Sequence, residues 1–168
     1  WPRMSNSQLR LALATLSLSA AGLVGLVSQE GYSDHAIVPV AGDVPTIGFG
    51  TTDGVKMGDR TTPPKALARA LTDVRKFEGA LKACVTVPLH QHEYDALISF
   101  SYNVGSTAFC QSQLVRELNA GHYDNACAQV LRWRFYQGKD CSAPENRRIC
   151  GGLWVRRQQE NRQCLGLS

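Results

Sequence analysis

No charged residue occurs between Leu11 and Gln29, and no cysteine precedes Cys84. The chain also has no CxxC pair, internal repeat or low-complexity tract. Each absence narrows the possibilities. Without CxxC spacing, and with the histidines elsewhere, zinc-finger chemistry is excluded for the cysteines. Without repeats, a solenoid or array is excluded. Charged residues make up 19% and hydrophobic residues 43% of the chain, which argues against wholesale disorder. The net charge of +4 is too small to name a nucleic acid as partner. At 168 residues the chain can build one domain with a substantial core, divided at most into two lobes.

The uncharged stretch, LALATLSLSAAGLVGLVSQ, ends directly against Glu30-Gly31. Arg3 and Arg10 precede it, the charge order of a signal peptide or an N-in membrane anchor. Its length is close to the ~20 residues that span a bilayer. Ala, Gly, Ser and Thr form more than half of it, so its insertion energy is marginal. Three readings stay open: a weak membrane anchor, a cleavable signal peptide using the small residues Ser19-Ala20-Ala21, and a buried core helix. Trp1-Pro2-Arg3 reads as an upstream extension, with Met4 as the natural start.

The six cysteines form an even set, Cys84, Cys110, Cys127, Cys141, Cys150 and Cys164. Beside an export-like N-terminus they point to disulfides in an oxidising compartment, with free buried thiols as the alternative. Spacing does not choose among the possible pairings. Positive charge is concentrated late, in Arg132, Arg134, Lys139, Arg147, Arg148, Arg156, Arg157 and Arg162. It reads as a solvated surface or as a basic face for a polyanion such as an acidic cell wall.

From Glu30 to Asp59 the chain is rich in Gly, Pro and Thr, with short β-branched runs. It reads as a small hairpin with turns at Ala41-Gly42-Asp43 and Asp53-Gly54. Thr62-Pro63-Pro64 predicts a helix start, with Thr62 as N-cap. Leu67, Leu71, Val74, Phe77 and Leu81 then follow at helical spacing to about Cys84. A second helix is expected from Gln91 to Asn103, closed by Gly105. Its apolar residues cover more than one face, as in a central core helix. Ser112 and Asp124 are candidate caps of helices ending near Asn119 and Phe135, and a final helix is expected from Gly152 to Leu165. The fold class is α+β: a small N-terminal β lobe and a larger helical lobe, preceded by the apolar segment.

Glu30, Asp34, Asp43, Thr46, Thr51 and Thr52 fall in or beside the β-rich segment. Paired carboxylates with hydroxyl neighbours suit glycoside hydrolysis. One acid protonates the leaving oxygen, and the other orients water or stabilises positive charge on the sugar. Alone this pattern is weak, because acids near turns commonly cap or are solvated. His90-Gln91-His92-Glu93 looks like a metal cluster, but on a helix His90 and His92 point apart, and no metal is assigned. Trp133, Phe135 and Tyr136 read as core in preference to sugar-stacking residues. Tyr102 and Asn103 fall where the lobes should join, either lining a cleft or packing.

In order along the chain stand Glu30-Gly31, GDVPTIGFGTT (Gly42 to Thr52), QHEYDALISFSYNVG (Gln91 to Gly105) and GLWVRRQQE (Gly152 to Glu160). This series resembles the phage-type lysozymes of glycoside hydrolase family 24, over nearly all of Glu30 to Leu165. With the apolar N-terminus, the chain looks like a signal-arrest-release endolysin. The resemblance implies a lysozyme-like fold, with residues 1–29 as the signal-anchor segment and residues 30–168 as the muramidase domain. It implies cleavage of the β-1,4 bond between N-acetylmuramic acid and N-acetylglucosamine in peptidoglycan, for host lysis. The implied partner is the glycan strand, with transient inner-membrane association before release into the periplasm. No cofactor, metal or nucleic acid is implied, and a monomer is expected.

The family's catalytic set is a Glu, an Asp and a Thr. Glu30 matches the Glu by its Glu-Gly context, and Thr46 matches the Thr by opening TIGFG. The family places its Asp six residues before the Thr, where this chain has Val40. Asp43 is taken as the equivalent, with Asp34 in reserve. Thr51 stands where the family often carries His. Glu30 becomes the general acid, which partial burial would favour, while Asp43 and Thr46 position water. Arg156 or Arg157 pairs with Glu30; the alternative is a surface helix face. Some such endolysins activate by cysteine exchange from the membrane segment. With no cysteine before Cys84, refolding of the segment is the remaining route. A lytic transglycosylase and a non-catalytic wall-binding protein stand as alternatives.

Overall fold

The computed structural model describes residues 9–167; Arg3, the Trp1-Pro2-Arg3 extension and Met4 lie outside them. The uncharged run does not form one helix. Leu11 pairs with Leu89 in an antiparallel bridge, Leu13–Thr15 make a single 3-10 turn, and α1 begins only at Ala20 and ends at Glu30. Ser19 sets that start. Its side chain accepts the Gly22 N–H, and its own N–H and hydroxyl are given to Asp95. Among the described residues no helix is long and apolar enough to cross a membrane. Leu16 and Leu26 are buried in the main core, each contributing about 2 kcal/mol. The boundary drawn at residue 29 thus falls inside α1.

Gly31, at φ +67°, ends α1 and turns the chain into the β lobe. Strands β1 (Ser33–Ile37) and β2 (Thr46–Gly48) pair antiparallel, with Ile37 opposite Thr46 and Ser33 opposite Gly48. The expected turns at residues 41–43 and 53–54 are present. Helix α2 (Pro63–Cys84) starts at the two prolines with Thr62 as N-cap, although the Thr62 side chain makes no capping bond. Its buried stripe is Ala66, Ala70, Val74 and Leu81, whereas Leu67 and Leu71 are exposed. The hairpin sits so close that small residues face it: a Cβ on Gly48 would come within 2.9 Å of Ala66 Cβ. The leucines one position on point outward.

Helix α3 (Gln91–Val104) is the central helix, buried continuously from Glu93 to Ser101. Its N-cap is His90, which shares a capping box with Glu93. Because His90 precedes the helix, its ring stacks on His92 at 5.2 Å instead of pointing away. His92 Nδ1 faces the carbonyls of Gln163 and Cys164. Around α3 lie α4 (Ser106–Cys110), α5 (Gln113–Asn119, capped by Ser112) and α6 (Tyr123–Gln129). Helix α6 is shorter than expected and is capped at His122, with Asp124 in its first turn. Phe135 and Tyr136 are not core. They form an exposed hairpin, β3 (Phe135–Tyr136) with β4 (Lys139–Asp140), while Trp133 alone packs inward, edge-on to Phe100 at 5.5 Å.

Helix α7 (Arg147–Cys164) begins earlier than expected and kinks at Cys150. Disulfides join Cys84 to Cys110, Cys127 to Cys164 and Cys141 to Cys150. They tie α2 to α4, α6 to the end of α7, and the preceding loop to the α7 kink. The late positive charges are not one basic face. Arg156 and Arg157 are buried, and Arg134 pairs with Asp140.

Candidate active site at the lobe junction

Glu30 is the last residue of α1, and its side chain is 16% exposed. Arg156 Nη1 lies 2.7 Å from its Oε1. The β lobe closes the other side. A Cβ on Gly50 would stand 3.5 Å from Glu30 Oε2 and 3.9 Å from the Tyr102 hydroxyl. Gly50 has φ +88°, so the loop after β2 makes this approach only with glycine. Tyr102, from α3, donates its hydroxyl to the Phe49 carbonyl at 2.9 Å and packs against Phe77 of α2 at 5.0 Å. The hairpin, α2 and α3 are thereby pinned around the carboxylate.

A cleft of about 320 Å³ runs beside this point, lined by Gly50, Thr52, Asp53, Asp73, Lys76, Phe77 and Tyr102. Burial, then the nearby Asp73 and Glu30 carboxylates, raise the Tyr102 hydroxyl well above its ordinary value. It stays a neutral hydrogen-bond donor at any physiological pH. Thr51 is buried and donates its hydroxyl to Asp73 at 2.7 Å.

Beneath Glu30 lies a buried ionic cluster. Arg157 is fully buried, with Nε 3.0 Å from Glu160 Oε2, Nη2 donating to Asn103 Oδ1, and its guanidinium over the Phe100 ring. Arg156 Nε donates to Glu160 Oε1 at 3.0 Å. Desolvation raises the Glu160 carboxyl above the ordinary range, opposed by Arg157 and Arg156. Desolvation likewise lowers the Arg157 guanidinium, opposed by Glu160.

The predicted residues are thus distributed unevenly. Glu30, Tyr102 and Arg156 meet at the junction. Arg157 and Asn103 pair one layer below, and neither arginine is on a surface face. Thr46 is half-buried on β2, with its hydroxyl on the Val44 carbonyl at 3.3 Å. Asp43 is exposed in the turn before β2, and among the described residues nothing hydrogen-bonds or pairs with its carboxylate. Asp34 is engaged instead, 2.7 Å from His35 Nδ1 and 4.0 Å from Arg60. Asp73 and Glu160 escaped sequence reading. The only signal for Glu160 was its place closing the GLWVRRQQE motif, and for Asp73 there was none.

The chain matches the family described as Phage lysozyme over residues 27–160. The SAR-endolysin of Pseudomonas phage phiKMV is 37% identical over 151 residues, 87% of each chain. A solved endolysin from the Escherichia coli O157:H7 phage FAHEc1 superposes with TM-score 0.74 at 34% identity, over 90% of this chain and 94% of that one. The muramidase domain of SpmX from Asticaccaulis excentricus superposes with TM-score 0.77 at 29% identity, over 89% and 97%. With a lysozyme-like α+β fold and a family match spanning most of its length, the chain belongs to the phage lysozyme family.

Proposed function

We propose that the protein is an endolysin that hydrolyses the bond between N-acetylmuramic acid and N-acetylglucosamine in peptidoglycan. The observation that carries this reading is Glu30, a mostly buried carboxyl at the lobe junction, held by Arg156 beside an open cleft. Glu30 gives its proton to the bridging oxygen as the bond from that oxygen to the anomeric carbon breaks. A water positioned by Asp43 and Thr46 adds to the anomeric carbon and loses its proton to a carboxylate. Asp43 suits this role because its carboxylate is uncommitted, whereas Asp34 is paired with His35. Tyr102 fixes the cleft wall. Glu30→Gln tests the reading: clearing of permeabilised cell walls should fall by at least ~10²-fold. Retention of wild-type clearing would move the acid to another residue, and no clearing by the wild-type chain would instead support a non-catalytic wall-binding protein.

We further infer that residues 11–29 first tether the chain in the host inner membrane and later fold as seen here, in the periplasm. The marginal apolarity of the run, its docking onto α3 and the SAR-endolysin relatives support this. Signal cleavage near residue 22 would remove both Leu16 and the Ser19 cap from the folded domain, which favours release intact. The N-terminal sequence of the periplasmic form checks it: intact chain is expected, and a start near residue 22 would mean cleavage.

A further inference from the structure

We infer that Glu160, which nothing above assigns a part in the reaction, is a positioning residue that aims Arg156 at Glu30. The inference rests on Glu30 being the general acid.

Two nitrogens of the Arg156 guanidinium are hydrogen-bonded, and the third stands in ionic contact with Glu30, whose Oε1 has no hydrogen-bond partner among the described residues. Nε donates to Glu160 Oε1 at 3.0 Å, Nη2 to the Ser99 carbonyl at 3.2 Å, and Nη1 faces Glu30 Oε1 at 2.7 Å. A guanidinium is planar, so fixing two of its nitrogens fixes the direction of the third. The Ser99 carbonyl belongs to the α3 backbone and cannot swing. Glu160 is therefore the adjustable half of the clamp, and it is itself held. Ser99 Oγ donates to its Oε1 at 3.1 Å, and Arg157 Nε lies 3.0 Å from its Oε2 as an ionic contact without a hydrogen bond. Glu160 is 3% exposed and Arg157 fully buried, so neither can relax into water. A carboxylate placed there only for stability would be a poor choice, since a buried ion pair barely offsets its desolvation. Placement makes sense if orientation is what it supplies.

The test uses the full chain and soluble peptidoglycan fragments, with Glu160→Gln, Glu160→Asp and Glu30→Gln assayed in parallel. Melting curves measure the folded fraction. Glu160→Gln should lower kcat by at least ~10-fold with KM within about twofold, the split expected when a group at the acid is misaimed and substrate binding is intact. Glu160→Asp keeps the charge but withdraws the carboxylate by one methylene. It should leave kcat depressed with KM unchanged. Wild-type kcat in Glu160→Gln would overturn the proposal, as would wild-type kcat in Glu160→Asp should the Gln variant not fold. Losses that merely track the folded fraction, or unfolding of both variants, would assign Glu160 to stability alone. An inactive Glu30→Gln beside a wild-type Glu160→Gln sinks only this proposal. An active Glu30→Gln sinks the reading of Glu30 as the acid.

Discussion

Asp95 on α3 accepts both the backbone N–H and the hydroxyl of Ser19, at 3.0 and 2.5 Å. Ser19 caps α1, and Glu30 is the last residue of that same helix. The acid is therefore held from both ends, by Arg156 at its carboxylate and by Asp95 at the start of its helix. Asp95→Asn replaces a charged acceptor by an amide and should cost about 2–3 kcal/mol of stability. It should also lower kcat, because α1 then drifts at the end that anchors it. Denaturant melts and lytic assays on the same preparation check both. Unchanged melting would refute the anchoring role.

Two glycines of α1 give opposite outcomes. A Cβ on Gly22 would come within 2.8 Å of both Asp95 Cγ and Leu18 Cδ1, while a Cβ on Gly25 would meet nothing within 4 Å. Alanine gains about 1 kcal/mol over glycine in a helix. At residue 25 that gain should appear nearly whole. At residue 22, overpacking of about 1–3 kcal/mol and a strained Ser19–Asp95 contact outweigh it. Melting temperatures should rise for Gly25→Ala and fall for Gly22→Ala.

Gly50→Ala places a methyl beside Glu30 and demands positive φ of an L-residue, a cost of about 1–2 kcal/mol. Lytic activity should drop more than the stability loss explains. Equal activity per folded molecule would mean that the loop after β2 does not wall the site.

Asp43→Asn should reduce hydrolysis by ~10²-fold or more, while Asp34→Asn should leave it within a few-fold. The Asp34 carboxyl is already held below its ordinary range, first by the hydrogen bond to His35. The reverse ranking would transfer the water-positioning role to Asp34.

Loop length orders the disulfides. Cys127–Cys164 spans 37 residues and Cys141–Cys150 spans 9. Chain entropy puts their contributions near ~4 and ~2.5 kcal/mol respectively. Paired Cys→Ala variants in urea melts should follow that order.

Much of this was legible in the sequence, for local reasons. Pro63-Pro64 announces α2 and Gly105 ends α3, whereas the end of α1 at Glu30 was not read. Tertiary context decided the rest. Leu67 and Leu71 fit the helical period, yet the hairpin's close approach selects Ala66 and Ala70 for burial. Phe135 and Tyr136 look like core residues but sit in a two-residue hairpin. Asp73 and Glu160 matter through partners 22 and 61 residues away, Thr51 and Ser99, separations that periodicity does not register.

The central claim is hydrolysis by Glu30 with a positioned water. Mass spectrometry of peptidoglycan digested by the wild-type chain tests it most directly. Reducing muramic acid ends, absent with Glu30→Gln, are the predicted result. Anhydro-muramic ends would contradict the account and make the protein a lytic transglycosylase.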